Sequence, residues 1–217
     1  DGGQVVNVVP DYSRLWMRVR DTKRSGMMPV YERVMKMAEG AAIMANVDYK
    51  VSLISGIYEV LVNREGGKIM QANLELLGPI AYTESEIAFG KKIQESTGKD
   101  QIGMDSSINP IKATKEHPGG GSTDVGDVSW NVANINLRVT TAPKDTPWHS
   151  WAVVACGGMS IHKGLTYASK AMAMTMVDLF ENPDLVTKVK DEYKERKGDE
   201  VYKAIIPEGP PPINMGN

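Results

Sequence analysis

A single cysteine, Cys156, stands in 217 residues, so an intrachain disulfide is excluded and a cysteine-built metal cage cannot form. Its scarcity suits a reducing compartment. No apolar run approaches the roughly 20 residues a membrane helix needs, and no signal-peptide pattern is visible, so the expected location is the cytoplasm, with no membrane partner. Charge of one sign is also lacking. A formal net charge of −2 gives no electrostatic reason to expect nucleic acid as a ligand. The chain has only three histidines, His117, His149 and His162, no internal repeat, and no initiating methionine. It opens instead on Asp1-Gly2-Gly3-Gln4 and runs straight into strand-like sequence, whose unpaired edge would be exposed in a domain beginning there. The expectation is a fragment or a processed product. What remains is ordinary: 41% hydrophobic and 24% charged residues, enough for one large domain or two small ones with a real core.

The hydrophobic pattern predicts an α/β protein. Val5 to Pro10 is a short β-branched run, and Leu15 to Arg20 alternates as a second strand. A long helix follows from an N-cap at Ser25 to about Asn46, with Val30, Val34, Met37, Ala41 and Met44 as its buried stripe. Its methionines are read as adaptable core filling. Tyr49 to Ser55 alternates again, so residues 1–56 read as β-β-α-β, an open-faced half of an α/β sandwich. Beyond it, Ile69, Ala72, Leu76 and Leu77 mark a helix ended by Gly78-Pro79. Thr83 and Glu86 have the spacing of a capping box for the next helix, which runs to about Ser96. Residues 97–118 read as a long surface loop. Val132 to Thr141 alternates as a strand, Val153 to Cys156 as a short buried segment. A helix from Lys163 to Phe180 has Leu165, Ala168, Met172, Met176 and Leu179 as its inner face. Asn182 caps a last helix, with Pro183 in its first turn, Leu185, Val186, Val189 and Tyr193 facing inward, and Lys194, Arg196 and Lys197 at its negative end.

Two loops flank the Val132–Thr141 stretch and concentrate the chemistry. Gly119-Gly120-Gly121-Ser122-Thr123-Asp124-Val125-Gly126-Asp127 delivers two carboxylates on a glycine-rich turn that can approach a ligand closely. Thr146-Pro147-Trp148-His149-Ser150-Trp151 delivers one imidazole between aromatic flanks. The same residues admit a plain reading, a flexible turn and a packed loop histidine. A binuclear hydrolytic centre needs three to four ligands per metal and a base, and the chain has neither a His-x-Asp pair, a His-Glu-x-x-His helix nor adjacent glutamates. Glu84/Glu86 and Asp191/Glu192 read as surface. The glycine run lacks the lysine of a phosphate-binding Walker loop, which leaves a phosphate binder as a distant third reading.

Asp1-Gly2-Gly3 followed by Asn7-Val8-Val9-Pro10-Asp11, the Gly120–Trp130 run, Trp148-His149-Ser150-Trp151, then Val154-Ala155-Cys156-Gly157-Gly158 and His162-Lys163-Gly164 together resemble the C-terminal half of a co-catalytic metallo-amidohydrolase. Carboxypeptidase G, the aminoacylases and the aminobenzoyl-glutamate hydrolases are of this kind, and the likeness runs over essentially the whole chain. It implies residues 1–56 as the second half of a lid (dimerisation) α/β sandwich. Residues 57–217 would be the C-terminal part of a phosphorylase/hydrolase-like α/β catalytic domain. It also implies metal-dependent hydrolysis of the amide bond of N-acyl or N-aroyl amino acids. His149 matches the last metal ligand. Asn7 matches a contact to the substrate carboxylate, with Gly120 and Gly121 beside the substrate, and Asp124 and Asp127 fall in the active-site loop as catalytic candidates. The implied cofactor is a divalent ion, zinc or manganese, absent or partial in this chain. The implied partners are a small amino-acid conjugate, the N-terminal half of the enzyme, and a homo- or hetero-dimer mate bound through the lid. The competing reading is a non-catalytic dimerisation or assembly module derived from such an enzyme.

Overall fold

A computed structural model describes residues 2–112, 121–158 and 161–210, the side chains of 161 and 162 excepted. The described residues contain helices and no strand: α1 (Arg24–Ala45), α2 (Arg64–Leu77), α3 (Glu84–Ser96), α4 (Val125–Ser129), α5 (Trp151–Cys156), α6 (Ile161–Glu181) and α7 (Pro183–Lys197). The expected α/β sandwich and α/β catalytic half are therefore corrected. Val5–Pro10, 15–20, 49–55 and Val132–Thr141 alternate in sequence but pair with nothing as strands. Alternation makes a ribbon with two unlike faces; a strand also needs a neighbouring edge to take its N–H and C=O groups. Leu15 and Trp16, on opposite faces of the second ribbon, are both strongly exposed. Around Val132–Thr141 the cover comes from helices and side chains instead. The Tyr82 hydroxyl donates to the Thr140 carbonyl at 2.9 Å, and Gly164 of α6 lies so close that a Cβ there would be 2.7 Å from Thr141 Cγ2 and 3.2 Å from the Thr140 oxygen.

The chain divides into two compact units. The first comprises the described parts of 1–59, 115–127 and 203–217. It is organised on Tyr58, whose ring lies 4.0 Å from the Arg24 guanidinium carbon in a cation–π contact. The Tyr58 hydroxyl accepts the Lys203 N–H at 3.3 Å. The Arg24 amide, in the first turn of α1, donates to the Glu59 carboxylate at 2.9 Å. Lys23, not Ser25, is the N-cap of this helix and makes no side-chain cap bond; Asn46 ends it in the left-handed conformation. The expected buried stripe of α1 is corrected as well: Val30, Met37, Ala41 and Met44 are exposed, Val34 is half-buried, and Ala42 is its buried residue.

The second unit, 60–114 and 128–202, packs α2 against α6 and α7, and α3 against α5. Asn63 caps α2 by accepting from the Gly66 amide at 2.8 Å, while its own amide donates to Val189 O of α7 at 2.8 Å. The Tyr167 hydroxyl closes the other end of α2 by donating to Gly78 O at 2.7 Å. The buried face of α2 is Gly66, Ile69, Met70 and Asn73, so Ala72 and Leu76, expected inside, are exposed. In α6 the buried positions are Gly164, Ala171 and Thr175, and the expected Leu165, Met172 and Met176 are exposed. Small residues let helices approach closely, and the contact is sealed by Asn73, whose Nδ2 reaches Asp178 at 2.6 Å and Thr175 at 3.2 Å. Asn182 precedes α7 without a side-chain cap bond, Pro183 occupying the first turn as expected; the Asn182 amide donates to Asp178 O instead. Val153–Cys156 belongs to α5. No helix among the described residues is long and apolar enough to cross a membrane.

Candidate functional site

In the first unit the Ser122–Asp127 loop climbs into α4 through a local turn. The Val125 amide donates to Thr123 Oγ1 at 3.3 Å, and the same hydroxyl lies 3.4 Å from Asp124. Asp124 is exposed and Asp127, in the first turn of α4, is half-buried. Acidic residues suit that end because it carries the free amide N–H groups of the helix. Gly126 is buried against Tyr58, and a Cβ there would collide with the Tyr58 carbonyl. Glycine is thus required at this point for close approach. Gly121 is exposed with open space where a Cβ would stand. Asn7 is likewise exposed. Gly120, with Gly119 and His117, lies outside the described residues.

In the second unit His149 crowns a short loop built on a buried frame. Its backbone is left-handed, φ 65°, as is that of Asp145, φ 62°, a conformation that non-glycine residues rarely adopt. The side chain is exposed. Beneath it, Thr146 is buried and its Oγ1 donates to Pro143 O at 2.7 Å. Gln94, at the end of α3 and 1% exposed, donates from Nε2 to Lys144 O at 3.1 Å and accepts the Gly103 amide at 2.8 Å. After His149, Ser150 donates to Pro147 O at 2.6 Å and caps α5 by accepting from Ala152 N at 3.2 Å. Ile93, Ala152 and Cys156 form the buried cluster under the loop. Burial pushes the Cys156 thiol pKa up, against a hydrogen bond with Thr146 that pulls it down; a buried, protonated thiol is a poor nucleophile.

Glu86 and Glu192, expected at the surface, are structural. Glu86 completes the capping box with Thr83 and is buried; its carboxylate lies 2.6 Å from Lys163 Nζ of α6. The Lys163 hydrogen bond, then the Thr83 amide, hold the Glu86 pKa down at about 2. Burial first, then the negative Glu86 and Asp105, push the Tyr82 phenol up to about 12, so it stays a donor to Thr140. Glu192 accepts the Glu65 amide of α2 at 2.6 Å. Desolvation raises its pKa, but amides of Glu65 and Arg64 together with Arg196 outweigh it, and the net shift is downward.

Among the described residues no three or more His, Cys, Asp or Glu side chains are grouped to hold a metal ion. The described residues thus build no metal centre of their own, and His149 stands as a single imidazole. Asn7, Asp124 and Asp127 belong to the first unit and His149 to the second. Gln94 and Thr146 carry no reactive group, and the polar sequence around each gives no sign that either is buried.

The kinship read from the motifs is matched by a comparison with known proteins, which aligns the chain with a hydrolase. That relative is the B subunit of p-aminobenzoyl-glutamate hydrolase from Escherichia coli (strain K12), 29% identical over a 239-residue alignment that covers 97% of this chain and 49% of the relative. The chain spans about half the length of the curated relative it matches. No family model matches the chain, and no solved structure gives a significant match.

Proposed function

We propose that this chain is part of an amide hydrolase acting on N-aroyl or N-acyl amino acids of the aminobenzoyl-glutamate kind. The observation that carries this is the similarity to the B subunit of p-aminobenzoyl-glutamate hydrolase, which extends along 97% of the chain. In this reading His149 supplies an imidazole to the reaction as one ligand of a divalent ion, zinc or manganese, whose other ligands come from outside the described residues. The strained, framed backbone at His149 supports a functional role, because strain of this kind persists where the surroundings over-determine it. Asn7 and the glycines Gly120 and Gly121 would meet the substrate, an amino-acid carboxylate being matched by an amide donor and close backbone. Asp124 and Asp127 would supply carboxylates at the same loop.

The exposed apolar faces of α1 (Val30, Met37, Met44) and α6 (Leu165, Met172, Phe180) support a partner polypeptide, either further chain of the same enzyme or a second copy. The lack of a metal-holding cluster among the described residues favours a second reading, a non-catalytic assembly module. The two separate in one experiment. Release of p-aminobenzoate from p-aminobenzoyl-glutamate is followed for the native assembly containing this chain and for its His149→Ala variant. Loss of at least about 100-fold in turnover is expected, because losing a ligand weakens hold on the ion that generates the nucleophile. Turnover within twofold of wild type would overturn the role of His149. An assembly with no turnover at all would leave the module reading.

A further inference from the structure

We propose that Gln94 is the positioning residue that presents the His149 imidazole, by clamping the start of the histidine loop to the segment at Gly103. This rests on the reading of His149 as a functional imidazole and adds the device that orients it. Gln94 lies in the last turn of α3 and is buried, 1% exposed. It uses both ends of its amide across long stretches of sequence. Nε2 donates to the carbonyl of Lys144, fifty positions on, and Oε1 accepts the amide of Gly103. A primary amide carries its donor and its acceptor on two separate atoms, so it can hold both of these partners at once. A Leu here would leave the buried Gly103 N–H and the part-buried Lys144 C=O without these partners, and a Glu would meet the Lys144 carbonyl with a second acceptor.

The clamp acts at the root of the histidine loop. Lys144 lies between Pro143, which packs closely on Gly90 of α3, where a Cβ would stand 3.2 Å from Pro143 Cγ, and Asp145, which is left-handed. Thr146 then folds back on Pro143 through its hydroxyl at 2.7 Å and its amide at 3.3 Å. The loop from Pro143 to Ser150 is thereby fixed at its start by Gln94 and Thr146 and at its end by the Ser150 cap of α5. Two left-handed non-glycine residues, Asp145 and His149, fall inside this interval. Their conformations are disfavoured for L-residues and persist because the anchors on both sides leave the chain no relaxed path. Removing the Gln94 clamp frees the first anchor, and the left-handed turn at His149 is the strained point that relaxes.

The test uses this chain labelled with 15N-histidine and 15N-glutamine and needs no substrate. In the wild type the Gln94 side-chain amide should exchange slowly with solvent, and the His149 backbone amide should be as ordered as the helices, with an order parameter of about 0.85. In Gln94→Leu the His149 order parameter should fall below about 0.6, its three-bond amide coupling should leave the left-handed value, and its ring nitrogen signals should move. The helical circular dichroism should stay. His149 signals unchanged in a folded Gln94→Leu protein would overturn the proposal. So would a Gln94 side-chain amide exchanging at the free rate in the wild type, a result that stands even where the variant fails to fold. Neither outcome touches the role of the imidazole itself, which is judged by turnover of the His149→Ala assembly.

Discussion

Replacing Asn63 by alanine isolates the joint between α2 and α7, because one side chain serves both helices. Its Oδ1 caps α2 through Gly66 N at 2.8 Å, and its Nδ2 reaches Val189 O at 2.8 Å, 126 positions away. Losing an N-cap of this type costs about 1 kcal/mol. Losing a buried hydrogen bond costs about 1 kcal/mol more, since Val189 lies in mid-helix and its carbonyl retains its helical partner. The sum, about 2 kcal/mol, makes up a large part of a domain stability of roughly 5–15 kcal/mol. Asn63→Ser separates the two contributions: a serine still caps but is too short to reach α7, so it should recover about 1 kcal/mol. The assay is urea denaturation followed by circular dichroism, joined to native-state hydrogen exchange of the amides in α2 and α7. The expected order is wild type, then serine, then alanine, with exchange accelerated in both helices. A change under about 0.5 kcal/mol for alanine, the ordinary scatter of surface substitutions, would refute the reasoning. So would acceleration confined to the first turn of α2.

Acid should release α6 from α3. Glu86 has a pKa lowered from 4.5 to about 2, so its stabilisation is complete above 4.5 and lost as pH falls through 2. A Lys163→Met variant should abolish that acid-dependent step in a pH titration of α6 amide exchange, and an unchanged titration would remove the pair from the account. In the first unit Gly126→Ala should destabilise by about 1–3 kcal/mol through overpacking on the Tyr58 carbonyl, read as faster exchange of the α4 amides; unaltered exchange would contradict the close approach.

Helix ends were legible in the sequence because capping is local chemistry. Thr83 and Glu86 form the reciprocal box their spacing announced, Gly78 closes α2, and Pro183 opens α7 with Lys194, Arg196 and Lys197 at its far end. Strands were not, because pairing is non-local: the pattern at Val132–Thr141 states which sides differ but not that Tyr82 and Gly164 would occupy the flanks. The site divides in the same way. His149 and the Ser122–Asp127 loop stand out by residue type and by glycine punctuation. The left-handed turn at His149 and the Gln94 clamp beneath it depend on residues fifty positions apart, and no spacing rule within the loop encodes them.

The misread helix faces carry information of their own. In α6 the apolar side, Leu165, Met172, Met176 and Phe180, is exposed, while Gly164, Ala171 and Thr175 are buried. A helix gains about 1.5–3 kcal/mol from fully burying a large apolar side chain, so leaving these four about half or more exposed forgoes roughly 4 kcal/mol or more. The small-residue face explains why α6 sits on α2 as it does: close backbone approach and the Asn73–Thr175–Asp178 network need slender side chains. It does not explain why the opposite face is apolar rather than charged, as it is on α7. Helix α1 repeats the pattern, with Val30, Met37 and Met44 spaced seven apart and exposed, a spacing that places all three on one line of the helix surface. Two helices, one in each unit, therefore carry an exposed apolar stripe. A chain that matches half the length of a longer relative thus presents, on a helix of each unit, an apolar surface of the kind that polypeptide partners cover.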